Sequence, residues 1–148
     1  MSNAATQQST ETFTKGEFKP IPAADYLVRM TSIEEKKTRK GDGLMVRATF
    51  QVVNGDYKNR LIFEQFLVEH PKEIVQKIGN ERLDNYLKAV GVSGGQEDLG
   101  HDRTQLENYL ELPFIASVKI QEGNEYKNKD GQTVMGKDSN KVSSFKSR

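Results

Sequence analysis

The sequence predicts a mainly β domain with helices, which belongs to the α+β class. The first observation is a period-two run, Leu44–Val52, in which apolar residues occupy one face of a strand and mostly polar residues the other. The second is an apolar stripe at helical spacing within residues 70–92. The third is the length of 148 residues, which is enough for one domain with its own core.

Composition narrows the classes of protein. The chain has no cysteine, which excludes a disulfide framework and thiolate chemistry and fits a reducing, cytoplasmic location. Its apolar runs are far shorter than the ~20 residues of a membrane helix, so we expect no membrane partner. Residues 1–18 lack the apolar core of a signal peptide. We therefore expect residues 1–20 to form a flexible, disordered leader and residues 21–148 to form the domain.

Three strands are predicted in the first half of the domain. The first runs from about Asp25 to Glu35, after two prolines that favour extended chain. A Lys-Gly-Asp-Gly turn leads into the second strand, which is the period-two run. The third strand follows the turn at residues 54–59 and is apolar on both sides apart from Glu64 and Gln65, so its register stays open.

The second half begins with a helix. Pro71 suits a first helical turn, and Gly91 is a suitable stop. A short second helix is predicted near residues 103–111, followed by a strand at residues 113–122. The polar residues 123–140 are predicted to be a loop or an irregular hairpin, and residues 141–147 a closing strand.

The order strand, strand, strand, helix, strand, strand is that of a five-stranded OB-like barrel. In such a barrel the helix covers one end, and we expect it to do so through Ile74, Ile78, Leu83 and Leu87. Oligonucleotides bind this fold across strands 2 and 3 and between the loops that join strands 1–2 and 4–5. We therefore expect any oligonucleotide-binding site of this chain at these places.

Charge is distributed unevenly although the net charge is only +1. Residues 64–111 carry ten acidic and five basic residues, whereas both flanking regions have an excess of Lys and Arg. The predicted loop between strands 1 and 2 contains Lys36, Lys37, Arg39 and Lys40. The predicted loop between strands 4 and 5 contains Tyr126, Lys127, Lys129 and Lys137, and we group with it Lys141 at the start of the closing strand.

Strands 2 and 3 add further candidates. Arg47 lies on the polar face of strand 2, and Tyr57, Lys58 and Arg60 lie at the following turn. Phe63 and Phe66 point to opposite faces of strand 3, and we predict Phe66 to be the exposed one. Cations that follow phosphates, with aromatic rings that accept unstacked bases, are typical of single-strand binding proteins. The alternative for the basic loop is a charged hairpin tip that prevents edge pairing.

Sequence signals for catalysis are absent. The two histidines, His70 and His101, lie in predicted loops, and no H-E-x-x-H or paired-ligand spacing is found. Residues 91–95 are glycine-rich but lack the lysine of a phosphate-binding loop. We therefore predict a protein that is not an enzyme and that needs no metal and no cofactor.

Several short motifs give the chain a family resemblance. They are Pro22 with Tyr26, NGDYKNR at residues 54–60, AVGV at residues 89–92 and NKV at residues 140–142. Across residues 18–148 the chain resembles a phage and prophage family of short uncharacterised proteins regarded as single-stranded DNA-binding. The resemblance implies single-stranded DNA as the ligand, partners among phage replication and recombination proteins, and a bacterial host cytoplasm. DNA and RNA are not separated by the sequence, and the oligomeric state stays open.

A second hypothesis is a protein-interaction or assembly module on a small β scaffold. Its basis is the near-neutral net charge together with the acidic helical region between Glu69 and Glu111, which would dock a basic partner. Titration with oligo(dT) separates the two hypotheses.

Overall fold

A computed structural model of the chain describes residues 19–148. Apart from Lys19 and Pro20, the predicted leader of residues 1–20 lies outside the described residues. The described part contains seven strands, one α-helix and two 3₁₀ helices. The strands are β1 (Ala24–Lys37), β2 (Leu44–Val52), β3 (Leu61–Glu69), β4 (Pro113–Gln121), β5 (Glu125–Lys127), β6 (Thr133–Met135) and β7 (Ser139–Lys146). Helix α1 spans Glu73–Ala89, and the 3₁₀ helices span Gly95–Leu99 and Arg103–Tyr109.

Five strands form one antiparallel sheet in the order β3-β2-β1-β4-β7, and β5 pairs with β6 in a separate ladder. The predicted mixture of strands and helices is confirmed, as are the positions of the five main strands to within two residues. The predicted barrel is wrong in one respect. Within residues 19–148 no backbone ladder joins β3 to β7, so the sheet is not closed.

Strand β1 belongs to both halves of the sheet. Its first half pairs with β4 and its second half with β2. The register shifts between Met30 and Ser32, which marks a β-bulge. A bulge bends its strand and increases the local twist, so the sheet curls and its edge strands β3 and β7 approach each other.

Aromatic rings fill the inside of the curled sheet. The ring centre of Phe50 lies 5.4 Å from that of Phe114 and 5.9 Å from that of Tyr86, which comes from α1. Phe145 of β7 packs against the same three rings. The Tyr86 hydroxyl donates to the carbonyl of Tyr109 at 3.3 Å, and burial raises the pKa of Tyr86. This cluster joins the helix to both halves of the sheet.

Helix α1 covers one end of the sheet with a face that the sequence predicted only in part. Leu83 and Leu87 are fully buried, as predicted. Ile74 and Ile78 are 61% and 49% exposed, so the prediction that they cover the barrel end is wrong.

The reason for this difference is a close approach at Gly79. A Cβ atom added to Gly79 would lie 2.0 Å from the carbonyl oxygen of Leu67 in β3, so the helix backbone touches the strand there. The inward face therefore runs through Gly79, Leu83 and Leu87. With about 100° of rotation per residue, Ile78 lies well to one side of this face.

Side chains bridge the open seam between β3 and β7. Glu64 Oε2 accepts a hydrogen bond from the backbone N–H of Val142 at 2.5 Å, and its Oε1 accepts one from Arg82 Nη2 at 2.9 Å. Arg82 also donates to the carbonyls of Val142 and Gln65 at 3.0 and 3.3 Å. Its guanidinium lies 5.2 Å from the ring centre of Phe66. These contacts replace the missing ladder.

Replacing Arg82 with alanine should leave the Glu64 carboxylate, whose side chain is 9% exposed, without its charged partner. Removing one member of a buried pair costs about 3–5 kcal/mol, and partial exposure of Arg82 favours the lower end of that range. Urea unfolding measures the change. The control is Lys146→Ala, which breaks an exposed pair with Asp25 and should cost less than about 1 kcal/mol. Equal losses in both variants would contradict a structural role of the seam.

Replacing Gly79 with alanine tests the contact between α1 and β3. In an isolated helix, replacing glycine with alanine stabilises the helix by about 1 kcal/mol. Here we expect a loss of about 1–3 kcal/mol, because the new methyl group overlaps the Leu67 carbonyl. The control is Asn85→Ala at an exposed position of the same helix, where propensity alone should raise the melting temperature slightly. A stabilised Gly79→Ala variant would refute the close approach.

Candidate functional site

An open groove of about 250 Å³ lies on the outer side of the sheet where β3 faces β7. Arg47 of β2, Phe63 of β3 and Lys141 of β7 line it. A neighbouring depression that shares Arg47 and Phe63 extends over the outer side of β1 and β2. Another one shares Lys141 and extends to Lys119 of β4. Because they share these residues, the three form one continuous surface, which we call the trough.

Phe63 is the exposed aromatic ring of the trough. Its surface is 64% exposed, whereas that of Phe66 is 1% exposed and belongs to the core. The two rings face opposite sides of β3, as the spacing predicted, but the prediction that Phe66 is the exposed one is wrong. The two polar residues in the centre of β3 point in opposite directions, with Glu64 turned into the seam and Gln65 outward.

A sequence signal for Phe63 exists in strand pairing. Phe63 lies opposite Thr49, and Gln65 lies opposite Arg47, on the polar side of β2. Residues directly opposite each other in neighbouring strands point to the same side of the sheet. Phe63 therefore lies on the same outer side as the polar residues of β2. That deduction needs the register, which the apolar sequence of β3 did not supply.

Arg47 is the cation beside this ring. Its Nη1 atom lies 3.7 Å from Glu34 Oε1, and about half or more of each side chain is exposed. Exposed pairs of this kind contribute little and exchange readily with other anions. Arg47 therefore lies where the sequence predicted it, on the wet face of β2, within reach of a ligand in the trough.

The basic tip between β1 and β2 is divided between two sides of the sheet. Lys36 lies two residues after the β1 partner of Arg47 and so shares its outward face, whereas Lys37 faces the other way. Arg39 and Lys40 line a separate cleft beside the start of α1. Within residues 19–148, none of these four tip residues forms an ion pair.

The turn at residues 54–60 lies at the other end of the β2–β3 hairpin. The rings of Tyr57 and Tyr26 pack edge to face, with their centres 6.1 Å apart. Burial raises the pKa of Tyr26, and the nearby Tyr57 raises this pKa further. Arg60 donates to the carbonyl of Lys19, and Lys58 is exposed. The predicted candidates Tyr57, Lys58 and Arg60 do not line the trough.

The second predicted loop is an arm, residues 122–138, that contains the β5–β6 ladder. Tyr126, Lys127, Lys129 and Lys137 are all exposed on it. None of them lines the trough. The arm carries three lysines and four acidic residues, so it is not basic as a whole. The two lysines that line the trough, Lys119 and Lys141, lie at the base of the arm.

The segment Asn140–Lys141–Val142 connects the site to the rest of the domain. The Asn140 side chain accepts from the N–H of Ile21 and donates to its carbonyl, both at 2.9 Å. Lys141 points into the trough. Val142 is buried, and its backbone is held by the seam. Asn140 and Val142 of the NKV motif thus have defined contacts, and they hold Lys141 at the edge of the trough.

The family model described as "Protein of unknown function (DUF669)" matches residues 6–147. The chain belongs to this family. The match includes β2, β3 and β7, which frame the trough, and the Asn140–Val142 segment. No curated protein matches the chain.

In the part of the chain from Lys19 onward, no three His, Asp or Glu residues lie close enough together to hold a metal ion. No helix in that part is both long and apolar enough to cross a membrane.

Alanine replacements of the two phenylalanines of β3 should differ in stability. Phe66→Ala opens a cavity in the core and should cost about 3–5 kcal/mol. Phe63→Ala removes an exposed ring and should change stability by no more than about 0.5 kcal/mol. Denaturant unfolding of both variants measures the difference. A large loss for Phe63→Ala would place its ring in the core and remove it from the site.

Proposed function

We propose that the protein binds single-stranded DNA in the trough with little sequence preference. The observation that carries the proposal is the exposed Phe63 ring between Arg47 and Lys141. An exposed ring face accepts an unstacked base of any sequence, and the flanking cations neutralise phosphates. The long, open shape of the trough suits a chain of nucleotides.

The sheet order supports the same proposal. A curled sheet in the order β3-β2-β1-β4-β7, with a helix between β3 and β4, has the strand order that we expect of an OB-like domain. OB folds are partly open barrels that bind oligonucleotides on the face of strands 2 and 3. In this chain, Arg47 and Phe63 lie on that face.

A single strand is favoured over a duplex. The bases of a duplex are stacked on each other, so none of them offers a free face to Phe63. We further propose that the protein acts in a phage replication or recombination module in the bacterial cytoplasm, which rests on the resemblance of its sequence motifs. RNA binding is an outcome of the same titrations, because stacking does not separate RNA from DNA.

Replacing Phe63 with alanine should weaken binding to fluorescent oligo(dT) by about 5- to 150-fold, since stacking of one base contributes about 1–3 kcal/mol. Fluorescence anisotropy at low and moderate salt measures the affinity, with duplex and RNA competitors. The control is Ile74→Ala, which removes an equally exposed apolar side chain from α1. Wild-type protein that fails to bind at low salt would refute the proposed function.

The protein-interaction hypothesis has one observation in its favour, the exposure of Ile74 and Ile78 on α1. The acidic region that would dock a basic partner gives this hypothesis less support. The acidic excess lies in residues 95–111, where several carboxylates already have internal partners. Asp98 accepts from Gly94 N–H, Asp102 caps the second 3₁₀ helix, and Glu111 pairs with Arg29. DNA binding is therefore the better-supported function.

A further inference from the structure

Two lysines lie directly opposite each other in the β4–β7 ladder. Lys119 pairs in register with Lys141. Both are exposed, and the adjacent Val118 and Val142 are buried, so both lysine side chains point outward on the same side of the sheet. Like charges at directly opposite positions destabilise a sheet.

The two lysines have no carboxylate at ion-pair distance among residues 19–148. Glu64 is the acidic residue that lines the same depression, and its two oxygens are occupied by Arg82 and by the Val142 N–H. The amide of Gln121, which also lines that depression, is a hydrogen-bond donor, whereas the Ser143 hydroxyl already donates to the carbonyl of Ser117 at 3.1 Å. The surface is therefore suited to an anion.

The position of Lys119 and Lys141 indicates which kind of anion would bind there. The depression is open, about 440 Å³ in volume, and continuous with the Phe63 groove through Glu64, Gln121 and Lys141. An anion there lies next to a flat ring that takes a base. A phosphate linked to a base fits both parts of the surface, whereas a free phosphate uses only one.

We propose that Lys119 and Lys141 neutralise adjacent phosphates of a single strand whose base stacks on Phe63. This inference rests on the proposed function and adds Lys119 to the site. It also sets the course of the strand, from β4 and β7 across β3 toward Arg47. Lys119 is thus a binding residue that lies outside both predicted loops.

The test compares the salt dependence of oligo(dT) binding in two charge-matched variants. Lys119→Gln with Lys141→Gln should weaken binding and reduce the slope of log affinity against log salt by about 1.4, which is ~0.7 for each lost phosphate contact. The control is Lys77→Gln with Lys88→Gln, exposed on α1, which removes the same charge. The control should leave the slope close to that of wild type.

A second measurement needs no DNA. Thermal unfolding of Lys141→Gln at low salt should give a higher melting temperature than wild type, because the variant relieves the repulsion. A lower melting temperature would overturn the premise that the pair is uncompensated.

The two proposals fail in different ways. If wild type binds oligo(dT) and the Lys119/Lys141 variant keeps its affinity and slope, the phosphate contacts are refuted and the proposed function stands. If wild type does not bind at low salt, the function and the contacts that rest on it are both refuted.

Discussion

The contact between Glu64 and Arg82 is the interaction on which the rest of the structure depends. It connects β3, α1 and β7 at the seam where no backbone ladder joins the two edge strands among residues 19–148. A largely buried ion pair adds little net stability compared with apolar packing, but its geometry is specific. Its main effect is to determine where β7 lies relative to β3, and thereby where Phe145 enters the aromatic core.

The same contact explains why a trough exists. A ladder would hold β3 and β7 about 4.8 Å apart and leave no room between them. Instead, the Glu64 side chain of β3 reaches across to the backbone N–H of Val142 in β7 and lies between the two strands. Phe63 and Lys141 then lie on either side of an open surface. The polar group that stabilises the seam also separates the walls of the candidate site.

Much of the fold could be predicted from the sequence because most strands have one wet face. The alternation in β2 correctly placed Arg47 outside and Phe50 inside. Strand β3 gave no such signal, since its central polar residues Glu64 and Gln65 point in opposite directions, and the choice between Phe63 and Phe66 was therefore wrong. The basic tip was recognised by composition, yet composition does not show that Lys36 and Lys37 face opposite sides.

Helical periodicity failed for a related reason. It identifies an apolar stripe but does not include the backbone contact at Gly79, which rotates α1 away from Ile74 and Ile78. Lys119 was not predicted as a site residue because its importance depends on Lys141, which lies opposite it in the sheet. The arm of residues 122–138 separates the two lysines in the sequence. Local sequence patterns do not show which distant segments contact each other, and this part of a site therefore needs the structure.

The two hydrogen bonds between the Asn140 side chain and the Ile21 backbone have a consequence for folding. The two residues are 119 positions apart, and Ile21 is one of the most deeply buried side chains. Contacts of such long sequence separation slow folding, because the intervening chain must first be ordered. During synthesis, the Ile21 backbone cannot gain this partner until β7 has been made, so the hydrogen bonds of Asn140 form late in folding.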